Sequence, residues 1–244
     1  MNKQWTHAAA AIRDVIHDGQ TIAVGGFGLS GNPNDLIEAV RDSGAKELTI
    51  VSNNMGIDGK GLGVLLESGQ VAKVIASYVG ENRLFARQYL DGTLEVEFSP
   101  QGTLAERMRA GGAGIAAFFT RTGVGTIVAE GKQIQLFDGI EYVLERAIVA
   151  NIALVHAHTA DLEGNLSYRL TARNFNPLVA TCAKTTIVEA EHVLKDRYLD
   201  PDSVITPGIY VHRLIAARPR VKDIENRTVR PQPDAASTPA GEGA

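Results

Sequence analysis

Cysteine is almost missing from this chain, since Cys182 is the only one among 244 residues. A single thiol excludes an internal disulfide and a cysteine metal cluster. Its setting, Val179-Ala180-Thr181-Cys182-Ala183, is apolar and disfavours the thiolate that a nucleophile needs. Positive charge is not in excess either. The formal net charge is -4 and the pI about 5.9, so the basic surface that nucleic-acid binding requires is absent. No apolar run approaches the roughly 20 residues that span a bilayer, which argues against a membrane partner. The opening residues, Met1-Asn2-Lys3-Gln4-Trp5-Thr6, lack an apolar signal core, and a cytoplasmic location is expected. No internal repeat is found.

What the chain does have is glycine, 25 residues of it, and 44% hydrophobic residues. That length and composition suit one α/β core with a small appended lobe. The glycines concentrate first between Asp18 and Pro33. Thr21 to Val24 is short, β-branched and apolar, as a strand of a covered parallel sheet should be. Gly25, Gly26, Gly28 and Gly31 follow, permitting backbone angles closed to other residues and letting a ligand lie against bare amides. Asn32 is expected as an N-cap and Pro33 as the first helical residue, with Leu36, Ile37 and Val40 on one face and Gly44 as the stop. Such a strand, turn and helix start suits an anion or a polar carbonyl at the helix N-terminus. Residues 26 to 31 also fit G-x-G-x-x-G, the dinucleotide fingerprint. The acid that should end the next strand is missing, however, because Leu48 to Val51 runs into Ser52-Asn53-Asn54. Nicotinamide binding and a purely structural turn therefore stand as competing readings of the same loop.

Along the chain, Thr6 to His17 places Ala8, Ile12, Val15 and Ile16 on one helical face. Strands are expected at Leu48 to Val51, Val71 to Ser77 and Leu94 to Phe98, with helices at Val64 to Glu67 and Asn82 to Leu90. Thr103 with Glu106 predicts a capping box for the next helix. The repeated order of strand, loop and helix predicts an α/β fold with a mainly parallel sheet flanked by helices, and a ligand site at the carboxyl ends of the strands. From Arg109 to Thr126 the composition turns to glycine mixed with Phe118 and Phe119, read as a small glycine-rich lobe or loop region facing a partner or ligand. Ile152 to His156 and Thr186 to Glu189 return to buried strands. Residues 1–217 form the expected domain and 218–244 an extended tail, disordered in its Pro- and Ala-rich part from Arg230 onward.

Several blocks occur in one order: Asp18-Gly19 followed by Gly25-Gly26-Phe27 and Pro33, Asn53-Asn54, Gly80-Glu81-Asn82, Ser99-Pro100-Gln101-Gly102-Thr103, Thr122-Gly123-Val124-Gly125-Thr126, Gly164-Asn165-Leu166, Thr171-Ala172-Arg173-Asn174-Phe175-Asn176-Pro177 and Thr206-Pro207-Gly208-Ile209-Tyr210-Val211. Together they resemble the A subunit of family I CoA-transferases, the 3-oxoacid CoA-transferase group, over about residues 10 to 215. Ala116 and Arg121 stand where the family pattern has prolines, and His212 where an acid or amide is commoner, departures that concern loop rigidity. The resemblance implies that Gly25, Gly26, Phe27, Gly28, Leu29, Ser30 and Gly31 bind coenzyme A, and that Gln101 lies at the active site. It further implies ping-pong transfer of CoA from succinyl-CoA to a 3-oxoacid such as acetoacetate or 3-oxoadipate. The attacking glutamate would come from a B subunit, in a Ser-Glu-Asn-Gly context that this chain lacks. A hetero-oligomer with two copies of each polypeptide is then expected, with the CoA thioester as substrate and no permanently bound cofactor.

Read as chemistry, Gln101 has an amide that can donate to a developing oxyanion. Asn53 and Asn54, after a strand, are placed to orient the acid or the thioester, although turns use asparagine equally. Glu81 imitates the nucleophile motif, yet its position before a helical stretch suits a helix N-terminal carboxylate. Arg169 and Arg173 are open between pairing a substrate carboxylate or CoA phosphate and a surface role. His156 and His158 alternate in a strand and are read as pointing to opposite faces, so no metal site is expected. The alternatives to the enzyme are a non-catalytic small-molecule sensor module of related fold and an NAD-binding oxidoreductase.

Overall fold

The computed structural model of the chain describes residues 3–223. Its framework is set by short runs of β-branched and apolar residues, each followed by a helix that covers them. In chain order the elements begin with α1 (Ala8–Ile12), β1 (Thr21–Val24), α2 (Asn34–Ser43), β2 (Leu48–Val51), α3 (Gly63–Glu67), β3 (Val71–Ala76) and α4 (Arg83–Leu90). They continue with β4 (Glu95–Phe98), α5 (Gln101–Gly112), β5 (Ala117–Thr120), β6 (Ile134–Phe137) and β7 (Ile140–Arg146). The last are β8 (Ala150–Ala160), β9 (Leu166–Ser167), α6 (Asn176–Thr181), β10 (Ala183–Val193) and β11 (Arg213–Ala216).

The main sheet runs β11-β10-β8-β1-β2-β3-β4, and each adjacent pair along that order is parallel. β9 joins the edge of β8 antiparallel. The sheet is covered on both faces, which is why its strands read as nearly continuous apolar runs. Ile22, Leu36, Ile50, Leu65, Phe85 and Leu154 belong to one core, and Ala23, Val51, Leu104, Met108, Val155 and Val179 to the other. Ile22 and Ala23 go to opposite faces because successive strand residues alternate. Burying each large side chain contributes about 1.5–3 kcal/mol. The chain winds outward from β1 in both directions, so the crevice between β1 and β8 is the switch point at which α/β sheets bind ligands.

Four local expectations are corrected. The first helix is shorter than residues 6–17: the chain turns after Ile12, and Ile16 returns to the core from beyond the helix. Asn32 does not cap α2. The cap position is Pro33, while the Asn32 side chain donates to the Gly28 carbonyl at 3.1 Å. No capping box forms at Thr103, which lies buried inside α5, and Glu106 pairs instead with Arg109 at 2.7 Å. The glycine-rich lobe is an ordered antiparallel sheet, β5-β7-β6. Phe119, Phe137 and Tyr142 pack edge to face within it, with centroids 5.3 Å apart. None of its three strands was expected.

Arg107 of α5 ties this lobe to the main sheet. Its guanidinium donates to the Arg146 carbonyl at 2.8 Å and to Glu97 at 2.7 Å, and stands 4.0 Å from the buried Glu145. Of the expected tail, residues 218–223 are described and cross α2: Arg218 and Arg220 both bond Asp35 and Glu38. The remainder, residues 224–244, lies outside the described residues. Among the described residues no helix is long and apolar enough to cross a membrane.

Candidate active site

Because the central strands are parallel, their carboxyl ends bring four loops to one edge of the sheet. Asn53 follows β2 and is fully buried. Its Oδ1 accepts from Gln101 Nε2 at 2.9 Å and from Ser77 Oγ at 2.9 Å. Three segments that are far apart in sequence therefore meet at one amide. Gln101, which the sequence order suggests for the loop after a strand, is instead the first residue of α5, and it is exposed. One of its two amide hydrogens goes to Asn53, so the other remains available to a ligand. Asn53 Nδ2 and Ser99 Oγ, both buried, have no hydrogen-bond partner. Buried polar atoms are rarely left so. Asn54, also buried, instead faces its own turn, accepting from Gly56 N at 3.4 Å.

The glycine-rich loop owes much of its composition to internal packing. A Cβ on Gly25 would come within 1.8 Å of Asn176 Oδ1, and one on Gly26, where φ is +124°, within 1.8 Å of Asn32 Oδ1. The segment from Thr171 to Asn176 grips the loop. Asn174 Oδ1 accepts from Gly26 N at 3.1 Å, its Nδ2 donates to the Ser30 carbonyl at 2.9 Å, and Asn176 Nδ2 donates to the Gly31 carbonyl at 2.9 Å. The amides of Gly25, Phe27 and Ser30 bond the carbonyls of Leu154, Ser30 and Phe27. What the loop offers outward is the Phe27 ring, 48% exposed, above buried Gly28 and Leu29.

The N-terminus of α2 does hold an anion, but an internal one. Glu189 of β10, fully buried, accepts from Asp35 N at 2.8 Å and Leu36 N at 3.1 Å. Burial raises its carboxyl above the ordinary range. Its other oxygen lies 3.3 Å from His156 Nδ1, and His156 Nε2 lies 3.1 Å from Glu191. Burial works against the His156 charge, but Glu189 and Glu191 outweigh it and its pKa is raised. Glu191 is held down to about 2: burial would raise it, but Lys222, His158 and His156 bond it. His158 Nδ1 is 3.0 Å from Glu191 Oε2. The expectation that His156 and His158 face opposite ways is therefore wrong, for residues two apart in a strand share a face. Sequence reasoning missed Glu189 and Glu191 as site residues; the signal was two acids, two apart, following the buried run Ile187-Val188. Beside this network a cavity of about 550 Å³ is lined by Ser30, Gly31, Arg169, Leu170 and the 217–223 segment. Arg173 stays exposed nearby, and Glu81 is exposed one residue before the Asn82 cap of α4. Cys182 is buried, and burial pushes its thiol up to about 12, leaving it unfit as a nucleophile.

The model of the coenzyme A transferase family matches residues 5–217. The chain belongs to that family. The A subunit of a succinyl-CoA:3-ketoacid coenzyme A transferase from Xanthomonas campestris pv. campestris (strain B100) is 57% identical over 93% of this chain and 94% of its own length. The probable A subunit of a transferase of the same name from Bacillus subtilis (strain 168) is 57% identical over 88% of this chain and 91% of its own. Among solved structures, an acyl-CoA transferase from E. coli O157:H7 superposes with a TM-score of 0.79 at 23% identity, covering 88% of this chain. This CoA-transferase chain spans about half the length of that protein, 47%. Glutaconate coenzyme A-transferase from Acidaminococcus fermentans gives a TM-score of 0.76 at 22% identity over 88% of this chain and 75% of that one. Both show the same α/β fold. As a CoA-transferase, the chain is an enzyme component, and neither the sensor nor the nicotinamide reading is favoured.

Proposed function

We propose that this chain is the A subunit of a 3-oxoacid CoA-transferase, moving CoA from succinyl-CoA to acetoacetate or 3-oxoadipate in company with a B subunit. The observation that carries the reading is the chemistry of the Asn53, Ser77, Ser99 and Gln101 wall. It is made of amides and hydroxyls that can donate hydrogen bonds, and the bonds described there bring no carboxylate, thiol or general base to them. Ser77 Oγ donates to Asn53, and Ser99 Oγ has no partner, so neither hydroxyl is activated. A wall of this kind stabilises charge on a thioester but does not attack it.

The attacking carboxylate then comes from the B subunit. It adds to the acyl carbonyl and expels CoA thiolate, leaving an acyl anhydride. The thiolate returns to the glutamyl carbonyl and expels the donor carboxylate, and the glutamyl-CoA thioester hands CoA to the second acid by the reverse sequence. Gln101 donates to the carbonyl oxygen as it becomes an oxyanion, with Asn53 holding the glutamine in place. Asn54 shapes the turn beside them. The loop from Gly25 to Gly31 borders the CoA path through the Phe27 ring and the edge at Gly28, Leu29 and Ser30. The exposed apolar side chains of the lobe, including Ile127, Leu136, Phe137 and Ile140, support a partner surface, because monomers seldom leave such patches open. No resident cofactor is invoked, and a cytoplasmic heterotetramer belongs to the same reading.

Co-expression with a B-subunit polypeptide that carries Ser-Glu-Asn-Gly, followed by succinyl-CoA exchange against acetoacetate and against 3-oxoadipate, tests this. Turnover with one of the two acids is expected, without any response to NADH. An assembled pair that exchanges CoA with neither acid would remove the proposal.

A further inference from the structure

Among the described residues, a group of metal-ligating side chains lies near the carboxyl ends of β8 and β10. We propose that His158, Glu191 and His192 bind one divalent transition-metal ion of the zinc class. The site does not depend on the CoA-transfer reading.

Two imidazoles and one carboxylate form a donor set suited to zinc, with a fourth position left to water or a ligand. One donor atom from each of the three side chains lies within 4.8 Å of the other two. His158 Nδ1 and Glu191 Oε2 are 3.0 Å apart, and the His158 and His192 rings meet edge to face with centroids 5.0 Å apart. Metal bonds of about 2.0–2.1 Å in a tetrahedron put donors roughly 3.3 Å from one another, so His158 and Glu191 are already near that spacing. His192 is exposed and needs only a side-chain rotation to complete it.

The neighbours orient these donors as a metal site requires. His156 Nε2 and Lys222 Nζ both bond Glu191 Oε1, which leaves Oε2 turned toward His158. Partners of this kind fix the direction of a ligating carboxylate. Of the nearby cations, Arg218 and Arg220 are paired with Asp35 and Glu38, while Lys222 and His156 hold Glu191 Oε1 and leave Oε2 to the ion. The cavity of about 550 Å³ borders all three ligands, so the open position faces space rather than packed side chains. An ion there would clasp β8 to β10 beside the glycine-rich loop and present a Lewis-acidic position to an oxygen ligand in that cavity.

The test uses the full-length, tag-free chain stripped with chelator and titrated with zinc chloride by calorimetry, with cobalt(II) as a visible-absorption probe. One equivalent should bind, with the intensified cobalt bands of a low-coordinate site. His192→Asn and His158→Asn should each weaken binding more than about tenfold, while His17→Asn, remote from the cluster, should not. His192 is exposed, so its variant should keep the wild-type circular dichroism and melting curve, which separates loss of a ligand from loss of fold. Absence of stoichiometric binding by the wild type, or binding that persists unchanged in both cluster variants, would overturn the proposal.

Discussion

Changing Gln101 to alanine in the assembled enzyme is expected to lower kcat by about 10²–10³-fold, the usual cost of one oxyanion donor. KM for the acyl-CoA should move little, because the donated hydrogen bond strengthens only as the carbonyl oxygen gains charge. The geometry supports this division. Gln101 is exposed at the first position of α5, and its one side-chain hydrogen bond goes to Asn53, so truncation leaves no large cavity and no buried charge. The melting temperature of the complex should therefore hold while turnover falls. Full turnover in a correctly assembled Gln101→Ala enzyme would exclude the oxyanion role. A parallel fall in stability would instead mark the glutamine as a clip between α5 and β2.

Replacing Arg107 by methionine should produce the largest loss of stability, about 3–5 kcal/mol, because it takes a cation from the buried Glu145 and the half-buried Glu97. Glu145 is 1% exposed and would keep only its 2.7 Å bond from Lys132, while Glu97 would keep only Lys73 at 3.4 Å. The present arrangement is favourable for ionised Glu97: burial raises its pKa, but Arg107 and Lys73 outweigh that and it is lowered. Arg107 also ends the carbonyl of Arg146, so the variant should loosen the lobe from the sheet as well. A control two residues on makes the comparison informative. Arg109 pairs with Glu106 on the surface, where solvent screens the pair, and Arg109→Ala should leave the midpoint nearly unchanged. Denaturant midpoints of the two variants decide the matter, and equal midpoints would show that the buried network contributes nothing special.

The parallel half of the molecule was legible because its signals are local. Thr21 to Val24 and Leu48 to Val51 carry their apolar runs between clear breakers, and the strands end where the sequence suggests. Gly44 likewise stops α2, with φ at +70°. What escaped depends on distant partners. The helix cap expected from Asn32 is supplied by Glu189, 154 residues from the Asp35 amide it accepts from, and no local pattern announces such a pairing. The lobe is expected only over residues 109–126, from glycine mixed with Phe118 and Phe119, and its strands β6 and β7 lie beyond that stretch. Both are short: β6 reads Ile134-Gln135-Leu136-Phe137, and in β7 the alternation of Ile140-Glu141-Tyr142 breaks at Val143-Leu144. At the site, Asn53 and Gln101 were both singled out, but their direct contact required the sheet order that sets β2, β3 and β4 side by side.

The decisive question is where the acyl group first becomes attached to protein. Incubating the two-component enzyme with succinyl-CoA, reducing the glutamyl thioester with borohydride and mapping the altered residue by mass spectrometry locates it. The label should fall on a glutamate of the companion polypeptide, with Glu81 and every other carboxylate of this chain unmodified. A label on this chain would show that it carries its own nucleophile, and the shared-site account would be wrong.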